Sequence, residues 1–390
     1  MKLFSKRTTV FDILILTLLV LIYSYLTLNT NSDIPAHAQF IKDYTYGIKA
    51  FPVNFLYYLV VYILSFFSNK TSALLLVSIY VLSFISFFKY NLIKQIFIKE
   101  CEKHYKKAFI ISSVFAALLI FAFSLPSILV LKGYYYLLSF PPNVWHNSTT
   151  IFVTPFAFLL FWLSYKQLDE YKKSRIYFIT LLIIINVFIK PSFLFTYLLV
   201  YPFFLLYKYK FTKLFWVNIM PLIISSILIV IEFYFIFINS DPSVEKSSVT
   251  IDFFHFLNVW AKPEGWFDYI LIIFSTIISS FLFPIVFLLK NKKELKTTMI
   301  KFALSCLVVG IIISNVFTET GPRESDGNFL WQNYICSFIL FFSCTFYLLK
   351  SITTSPEGIK PFRIEVFFLL LHFIAFIFYF LIIKQTLSYY

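Results

Sequence analysis

The chain has 390 residues, of which 60% are hydrophobic, 22% aromatic and only 13% charged. Soluble domains carry about 25% charged residues, so this composition excludes an ordinary soluble protein and indicates an integral membrane protein. The net charge of +14 does not indicate a nucleic-acid partner, because the basic residues lie in short clusters between apolar runs, where they orient spans and meet anionic membrane lipids.

Eleven apolar runs predict helices that cross the hydrocarbon core, a distance that takes about 20 residues. In chain order these runs are 10–28, 73–92, 108–126, 151–165, 176–189, 193–207, 214–238, 268–289, 302–317, 331–349 and 364–383. The predicted fold class is all-α: a polytopic transmembrane helical bundle of about 11 spans, with residues 1–390 in one integral membrane domain and no separate soluble domain. The four cysteines form no Cys-x-x-Cys pair, so neither a disulfide framework nor a zinc site is indicated.

The first run follows Lys2, Lys6 and Arg7, and we expect it to be an uncleaved span that leaves the N-terminus in the cytoplasm. The loop after it contains an acid and a histidine four positions apart, Asp33 and His37. If this segment is helical, the two side chains lie on one face, where the carboxylate could act as a general base. Together the two side chains could hold a divalent metal or a phosphate. The alternative is a surface loop whose polar groups meet water.

A further apolar run, Val53–Ser68, is predicted not to cross. Leaving it out places 24 of the 33 lysines and arginines on the cytoplasmic side, whereas including it leaves only 10 there, against the positive-inside rule. We therefore expect an interfacial or re-entrant helix in the first outer loop. The alternative is that the run 73–92 fails to cross instead.

Candidate ligand-binding residues precede the fourth span and follow the fifth. Trp145, His146 and Asn147 are suited to a polar ligand, since tryptophan offers a face for a sugar ring and the others offer hydrogen bonds. The alternative for Trp145 is a place in the interfacial aromatic belt. Lys190 lies in a short outer turn, where either a lipid phosphate or simple snorkelling to headgroups explains a cation.

The last outer loop contains Glu319, Arg323, Asp326 and Trp331. Arg323 offers a planar fork suited to a phosphate or pyrophosphate, although a solvated turn explains Asp326 equally well. The longer loop 239–266, which includes Asp241 and Glu245, is interpreted as an interfacial flap over the site.

Asn186, Glu232 and His372 fall inside predicted spans. Glu232 is the most costly of them to bury and is a functional candidate by default. The sequence shows no partner for it.

The order of these features resembles the GT-C superfamily of polytopic glycosyltransferases: an opening span, an outer loop that begins with an acid and a nearby histidine, an outer-leaflet helix, and polar motifs confined to outer loops. The resemblance implies that Asp33 serves as base or metal ligand and that Lys190 and Arg323 hold the phosphate of a polyprenyl-phosphate-linked sugar donor. The chain departs from many of these enzymes because no large soluble domain follows the last span.

The expected function is therefore a glycosyltransferase of the bacterial plasma membrane. Its active site would lie on the extracytoplasmic face, and it would transfer a sugar to a cell-surface polysaccharide or another lipid-linked glycan acceptor. A polymerase of lipid-linked oligosaccharide units would use the same loops. A transporter or flippase of lipid-linked sugars, or a structural anchor, is a further alternative. Transport is disfavoured because the spans are almost purely apolar and no internal repeat is seen.

Overall fold

The computed structural model describes residues 10–102, 108–238 and 246–386. Lys2, Lys6 and Arg7, which support the predicted orientation of the first span, lie outside this part of the chain, as do Asp241 and Glu245 of the expected flap. The protein is 79% helical, which confirms the predicted all-α class.

Thirteen α-helices lie within the described ranges. They are α1 (Val10–Asn29), α2 (Asp33–Thr45), α3 (Leu56–Leu64), α4 (Thr71–Cys101), α5 (Ala108–Ile120), α6 (Ser148–Asp169), α7 (Lys173–Ile189), α8 (Ser192–Tyr209), α9 (Lys213–Phe233), α10 (Trp266–Lys290), α11 (Thr298–Val316), α12 (Trp331–Thr354) and α13 (Arg363–Thr386). A π-helical turn, Tyr234–Ile238, extends α9. Two short antiparallel strands, β1 (Ser248–Ile251) and β2 (Phe317–Thr320), join the two long outer loops.

Nine helices in these ranges are long and apolar enough to cross a membrane, which is fewer than the predicted eleven. The two other predicted spans correspond to α5, with 13 residues, and α7, with 17 residues. At 1.5 Å per residue these helices extend about 20 Å and 26 Å, less than the roughly 30 Å of the hydrocarbon core. The predicted count of eleven spans therefore includes two helices, α5 and α7, that are shorter than the hydrocarbon core is thick.

The run Val53–Ser68 contains only the nine residues of α3 as helix. Nine residues extend about 14 Å, which is too short to cross the bilayer. By contrast, α4 has 31 residues and is one of the nine candidate spans. The structure thus favours the predicted non-spanning helix in the first loop over the alternative in which the run 73–92 fails to cross.

The predicted span 108–126 is helical only as far as Ile120. The chain continues as irregular, largely buried backbone over residues 121–127, where Pro126 supplies no N–H and restricts the residue before it. The backbone groups of this stretch find partners on other helices: Phe123 N donates to His372 O at 2.9 Å, and Leu125 N donates to Ser279 O at 3.0 Å. Irregular backbone is tolerated at membrane depth where protein surrounds it in this way.

His372, which the sequence left without a role, lies against this irregular stretch. Its Nδ1 lies 2.6 Å from Phe123 O, and its Nε2 accepts from Phe283 N at 3.3 Å. The imidazole therefore donates through Nδ1 and accepts through Nε2. It joins the end of α5 to α10, which is kinked at Phe281. His372 thus has a structural partner on each side.

The helix α12 lies at the centre of the bundle. Within its apolar window 83% of the residues are buried, compared with 28% in α9. It packs against α4, α5, α6, α8, α10 and α11, so the helices arranged around it bring the ends of α2, α6, α7 and α12 together at one end of the bundle.

Candidate functional site

Asp33 lies at the first position of α2, directly after the N-cap residue Ser32. Its backbone N–H donates to His146 O at 3.1 Å, and its Oδ2 accepts from Asn147 Nδ2 at 2.8 Å. The structure therefore brings the start of α2 into contact with the residues before α6. Pro35 falls in the first turn of α2, where its missing N–H leaves no hydrogen bond unmade.

Asn147 is the residue that organises this contact. It is the N-cap of α6, and its Oδ1 accepts from Thr150 N at 3.0 Å and from Thr150 Oγ1 at 2.8 Å. The same oxygen lies 3.3 Å from Lys190 Nζ. Since backbone and side-chain donors occupy the oxygen, the amide N–H₂ group must face Asp33.

Lys190 lies in the turn between α7 and α8, with its Nζ 4.3 Å from the centroid of the Trp331 ring. Among the described residues, no carboxylate oxygen lies within 4 Å of this Nζ. Burial lowers the pKa of Lys190 from 10.5 to about 7, although the negative charges of Asp33 and Asp326 oppose this effect. A cation placed in this way is suited to an anionic ligand.

Arg323, the other predicted phosphate-binding residue, already has acidic partners. Its Nε lies 3.4 Å from Glu319 Oε2 and 3.9 Å from Asp326 Oδ2. Glu319 is 5% exposed, lies on β2 and also accepts from Asn328 Nδ2 at 2.6 Å. Burial raises the pKa of Glu319, whereas the nearby guanidinium lowers it. Glu319 thus holds the last outer loop together, and Lys190 is the better placed cation for a phosphate.

His37 lies one turn after Asp33 in a cage of aromatic rings. Its centroid is 5.8 Å from Phe40, 6.0 Å from Tyr57 and 5.6 Å from Tyr58. Burial lowers the pKa of His37 to about 4, so the ring is neutral at pH 7, and its Nδ1 has no hydrogen-bond partner within the described part of the chain. The carboxylate of Asp33 opposes the shift, and the charge of Lys190 adds to it.

The sequence suggested that Asp33 and His37 could hold a divalent metal, but no third His, Cys, Asp or Glu side chain of the described residues completes such a site. In the described ranges no group of three or more His, Cys, Asp or Glu side chains could hold a metal ion. Two side chains are fewer than the three or four that zinc sites use, so these residues do not fit a tightly held zinc ion.

Trp145 is corrected to a residue of the core. Its ring is 2% exposed and stacks on Phe121 at a centroid distance of 5.8 Å, with Phe376 at 4.8 Å and Tyr23 at 5.7 Å. With these rings packed around it, Trp145 has almost no exposed face to offer a sugar. The sequence did not reveal this because the connection between α5 and α6 folds back into the bundle.

A cavity of about 60 Å³ lies beside this cluster. His146, Asp326 and Trp331 line it, together with Tyr136, Asn143 and Trp260, none of which the sequence singled out as part of a central site. Asp33 and Lys190 each contact a lining residue, since Asp33 N donates to His146 O and Lys190 Nζ lies over the Trp331 ring. The volume is several times the roughly 10–15 Å³ that one water molecule needs, so the cavity has room for a small polar group.

Burial and nearby charges shift the pKa values of two lining residues, His146 and Asp326. Burial lowers the pKa of His146, and Asp33 opposes this shift. Burial raises the pKa of Asp326, whereas Arg323 and Lys190 lower it. The rings of His146 and Trp331 lie 5.8 Å apart, and both residues line the cavity.

Two loops are joined to each other beside the cavity. His255 Nδ1 lies 2.7 Å from Asp252 Oδ2, and its Nε2 lies 3.3 Å from Glu324 Oε1. This contact and the β1–β2 pairing join residues 248–261, which carry Trp260, to the loop that carries Asp326. The Gly321–Asp326 turn ends at Gly327, whose φ of +60° lies in the left-handed region that glycine favours. Residues 248–261, which belong to the described part of the predicted flap, thus border the cavity through Trp260.

Glu232 has one partner that the sequence did not indicate. Its Oε1 accepts from Asn54 Nδ2 at 2.7 Å, and the same amide donates to Val187 O at 2.9 Å. Asn54 therefore links the first outer loop to α9 and to the last turn of α7, three residues before Lys190. No described group bonds to Glu232 Oε2.

No family model matches the sequence, and no curated protein and no solved structure matches it either.

Proposed function

We propose that the protein is a membrane glycosyltransferase that transfers a sugar from a polyprenyl-phosphate-linked donor to a cell-surface polysaccharide or lipid-linked glycan on the outer face of the membrane. One observation carries the proposal: a single amide, Asn147, positions a carboxylate with its N–H₂ group and a cation with its oxygen. A base and an anion-stabilising group fixed by the same side chain are what a displacement at a sugar phosphate requires.

In the proposed reaction Asp33 accepts the proton of the acceptor hydroxyl. The acceptor oxygen then bonds to the anomeric carbon of the donor, and the bond from that carbon to the phosphate oxygen breaks. A positioned base contributes about 10²–10⁴-fold to the rate. Because the displacement takes place in one step, the configuration at the anomeric carbon inverts.

Lys190 stabilises the departing phosphate in this scheme. A cation already held in place costs no reorganisation as negative charge develops. His146 and Trp331 line the cavity next to these two charged residues, so the sugar of the donor would bind in the cavity with its phosphate beside Lys190.

The test compares two carboxylates of the same helix. Asp33→Asn is expected to abolish incorporation of labelled sugar into the extracellular glycan while the amount of protein in the membrane stays unchanged. Asp43→Asn is the matched control, because Asp43 also lies in α2 but bonds to Gln39 and pairs with Lys49 away from Asn147. Normal glycan from Asp33→Asn would overturn the role of Asp33 as base.

A polymerase of lipid-linked repeat units would use the same base and cation. It would differ in product, since a polymerase variant with reduced activity makes shorter chains, whereas a transferase variant leaves units that lack one sugar. Mass analysis of the glycan from a partly active variant separates the two.

Transport is a second candidate, because α5 is broken and α10 is kinked inside the bundle beside a cavity. Transporters often bind their substrates at such interruptions. Translocation of a fluorescent lipid-linked sugar across proteoliposomes by both the wild type and Asp33→Asn would favour transport over transfer.

A further inference from the structure

Two residues that line the cavity, Tyr136 and Asn143, have no role in the proposed sugar transfer. Asn143 lines the cavity and accepts a hydrogen bond from Lys89 Nζ through its Oδ1 at 2.7 Å. Tyr136 also lines the cavity. We propose that Tyr136 and Lys89 form an anion subsite at the part of the cavity lined by Asn143, and that this subsite binds a phosphate or carboxylate group of the ligand entering the cavity.

Lys89 supplies the positive charge. It is 8% exposed and lies on α4, 18 residues after Thr71, which corresponds to about 27 Å along the helix. Its Nζ lies 4.6 Å from the centroid of the Phe338 ring, and no carboxylate oxygen of the described residues lies within 4 Å of it. A buried charge without a counter-ion is costly and marks a functional position by default.

Tyr136 supplies an unused hydrogen-bond donor. The residue is 7% exposed, and its hydroxyl has no partner within the described ranges. Its ring packs edge-on against Phe123 at 5.0 Å and Tyr379 at 5.1 Å, both of which line the cavity. A buried hydroxyl is normally paired, so an unpaired one at a cavity wall indicates a place for a ligand atom.

A purely structural role explains why Asn143 is present, but it does not explain the buried ammonium group of Lys89 that bonds to it. Asn143 Nδ2 donates to Leu119 O at 2.9 Å and to Ala122 O at 2.8 Å, and thereby satisfies carbonyl groups at the end of α5. The oxygen of Asn143 needs only a donor, which a neutral hydroxyl or amide would supply without a charge to desolvate. The lysine is explained if an anion binds on the cavity side of Asn143.

Binding of simple anions to the purified full-length protein tests this proposal. Thermal unfolding in detergent is measured with inorganic pyrophosphate, glucuronate or glucose at constant ionic strength. We expect at least one of the two anions to raise the midpoint temperature by about 2 °C or more, since a ligand that binds only the folded state stabilises it. Glucose should give no comparable shift. An effect of pyrophosphate alone identifies a phosphate ligand, and an effect of glucuronate alone identifies a carboxylate.

Two variants assign the effect to the subsite. Tyr136→Phe removes only the unpaired hydroxyl, so the variant should fold normally. We expect the anion to raise its midpoint temperature by no more than half of the wild-type increase. Lys89→Met keeps the length of the side chain, removes the charge and should abolish the shift. Tyr23→Phe is the matched control: the hydroxyl of Tyr23 bonds to Ser86 and does not border the cavity, so the shift should persist.

The outcome also separates this subsite from the outer cation of the proposed reaction. In Lys190→Ala the anion should still raise the midpoint temperature, by at least the amount that Tyr136→Phe removes from the wild-type increase. The proposal is overturned if neither anion shifts the wild type, if glucose shifts it equally, or if Lys190→Ala removes the whole effect while Tyr136→Phe and Lys89→Met remove none.

Discussion

Asn147 combines three functions in one side chain. It caps α6 through Thr150, donates to Asp33 and accepts from Lys190. The aspartate could be singled out from the sequence by its place after the first span. The asparagine could be recognised as polar, but its role as the link between base and cation depends on a contact across 114 positions.

Replacement of Asn147 by serine separates capping from catalysis. Serine is also a good N-cap, so Asn147→Ser should change the free energy of unfolding by less than about 1 kcal/mol. It lacks the N–H₂ group that holds Asp33, so we expect a fall in the rate of sugar transfer of about 10-fold or more. Unchanged transfer with normal expression would show that the Asn147–Asp33 bond does not position the base.

The pH dependence of donor use should report the charge of Lys190. Its pKa is lowered to about 7, so the side chain loses its proton as the pH rises through 7, and kcat/KM for the lipid-linked donor should fall above that pH. Lys190→Arg keeps the charge and should move the decline to higher pH. A kcat/KM that stays constant from pH 6 to 9 in the wild type would contradict the phosphate role.

The same shift affects stability in the opposite direction. Between about pH 7 and 10.5 the unfolded chain holds a proton at Lys190 that the folded protein has lost, so this residue makes the folded state more stable as the pH rises. The gain should be absent from Lys190→Met when midpoint temperatures are compared across that range.

Among the elements, α5 shows why apolar runs do not determine helix length. The run 108–126 is apolar throughout, but Pro126 and the hydrogen bonds from Asn143 and His372 stabilise irregular backbone after Ile120. The run Val53–Ser68 was predicted as non-spanning from charge distribution rather than hydropathy, and its nine-residue helix is consistent with that prediction.

His372 is expected to be essential for this broken helix. His372→Phe fills a similar volume but leaves Phe123 O and Phe283 N without their side-chain partner, and we expect it to lower the free energy of unfolding by about 2–4 kcal/mol. His372→Gln retains a donor and an acceptor and should be milder. Equal midpoint temperatures for His372→Phe and the wild type would show that the imidazole does not hold the end of α5.

For the whole molecule, the arrangement of the spans predicts which ends share a membrane face. Residues 293 and 326 lie beyond opposite ends of α11, a candidate span, so they should lie on opposite sides whatever the total count. All four native cysteines are buried, so they should react little with a thiol reagent in the folded protein.

Labelling of single added cysteines tests this orientation. In intact cells an impermeant maleimide should modify Asp326→Cys, whereas Lys293→Cys should react only after permeabilisation. Both side chains are more than half exposed in the structure, so lack of access would not explain a failure. Modification of Lys293→Cys from outside would invert the proposed topology and move the site to the cytoplasmic face.

The sequence by itself predicted an all-α membrane protein, and the structure confirms the all-α class, with nine helices in its described part long and apolar enough to cross a membrane. The sequence also suggested that Asp33 and His37 lie one helical turn apart, and both residues lie in α2. These properties follow from local composition, charge and periodicity. Only the tertiary structure decided that Trp145 is a core residue, that Arg323 is neutralised by Glu319, and that a cavity with Lys89 behind its floor lies beside the broken end of α5. The reason is that these properties depend on contacts between distant segments, and apolar runs of similar composition carry little information about which helices will be neighbours.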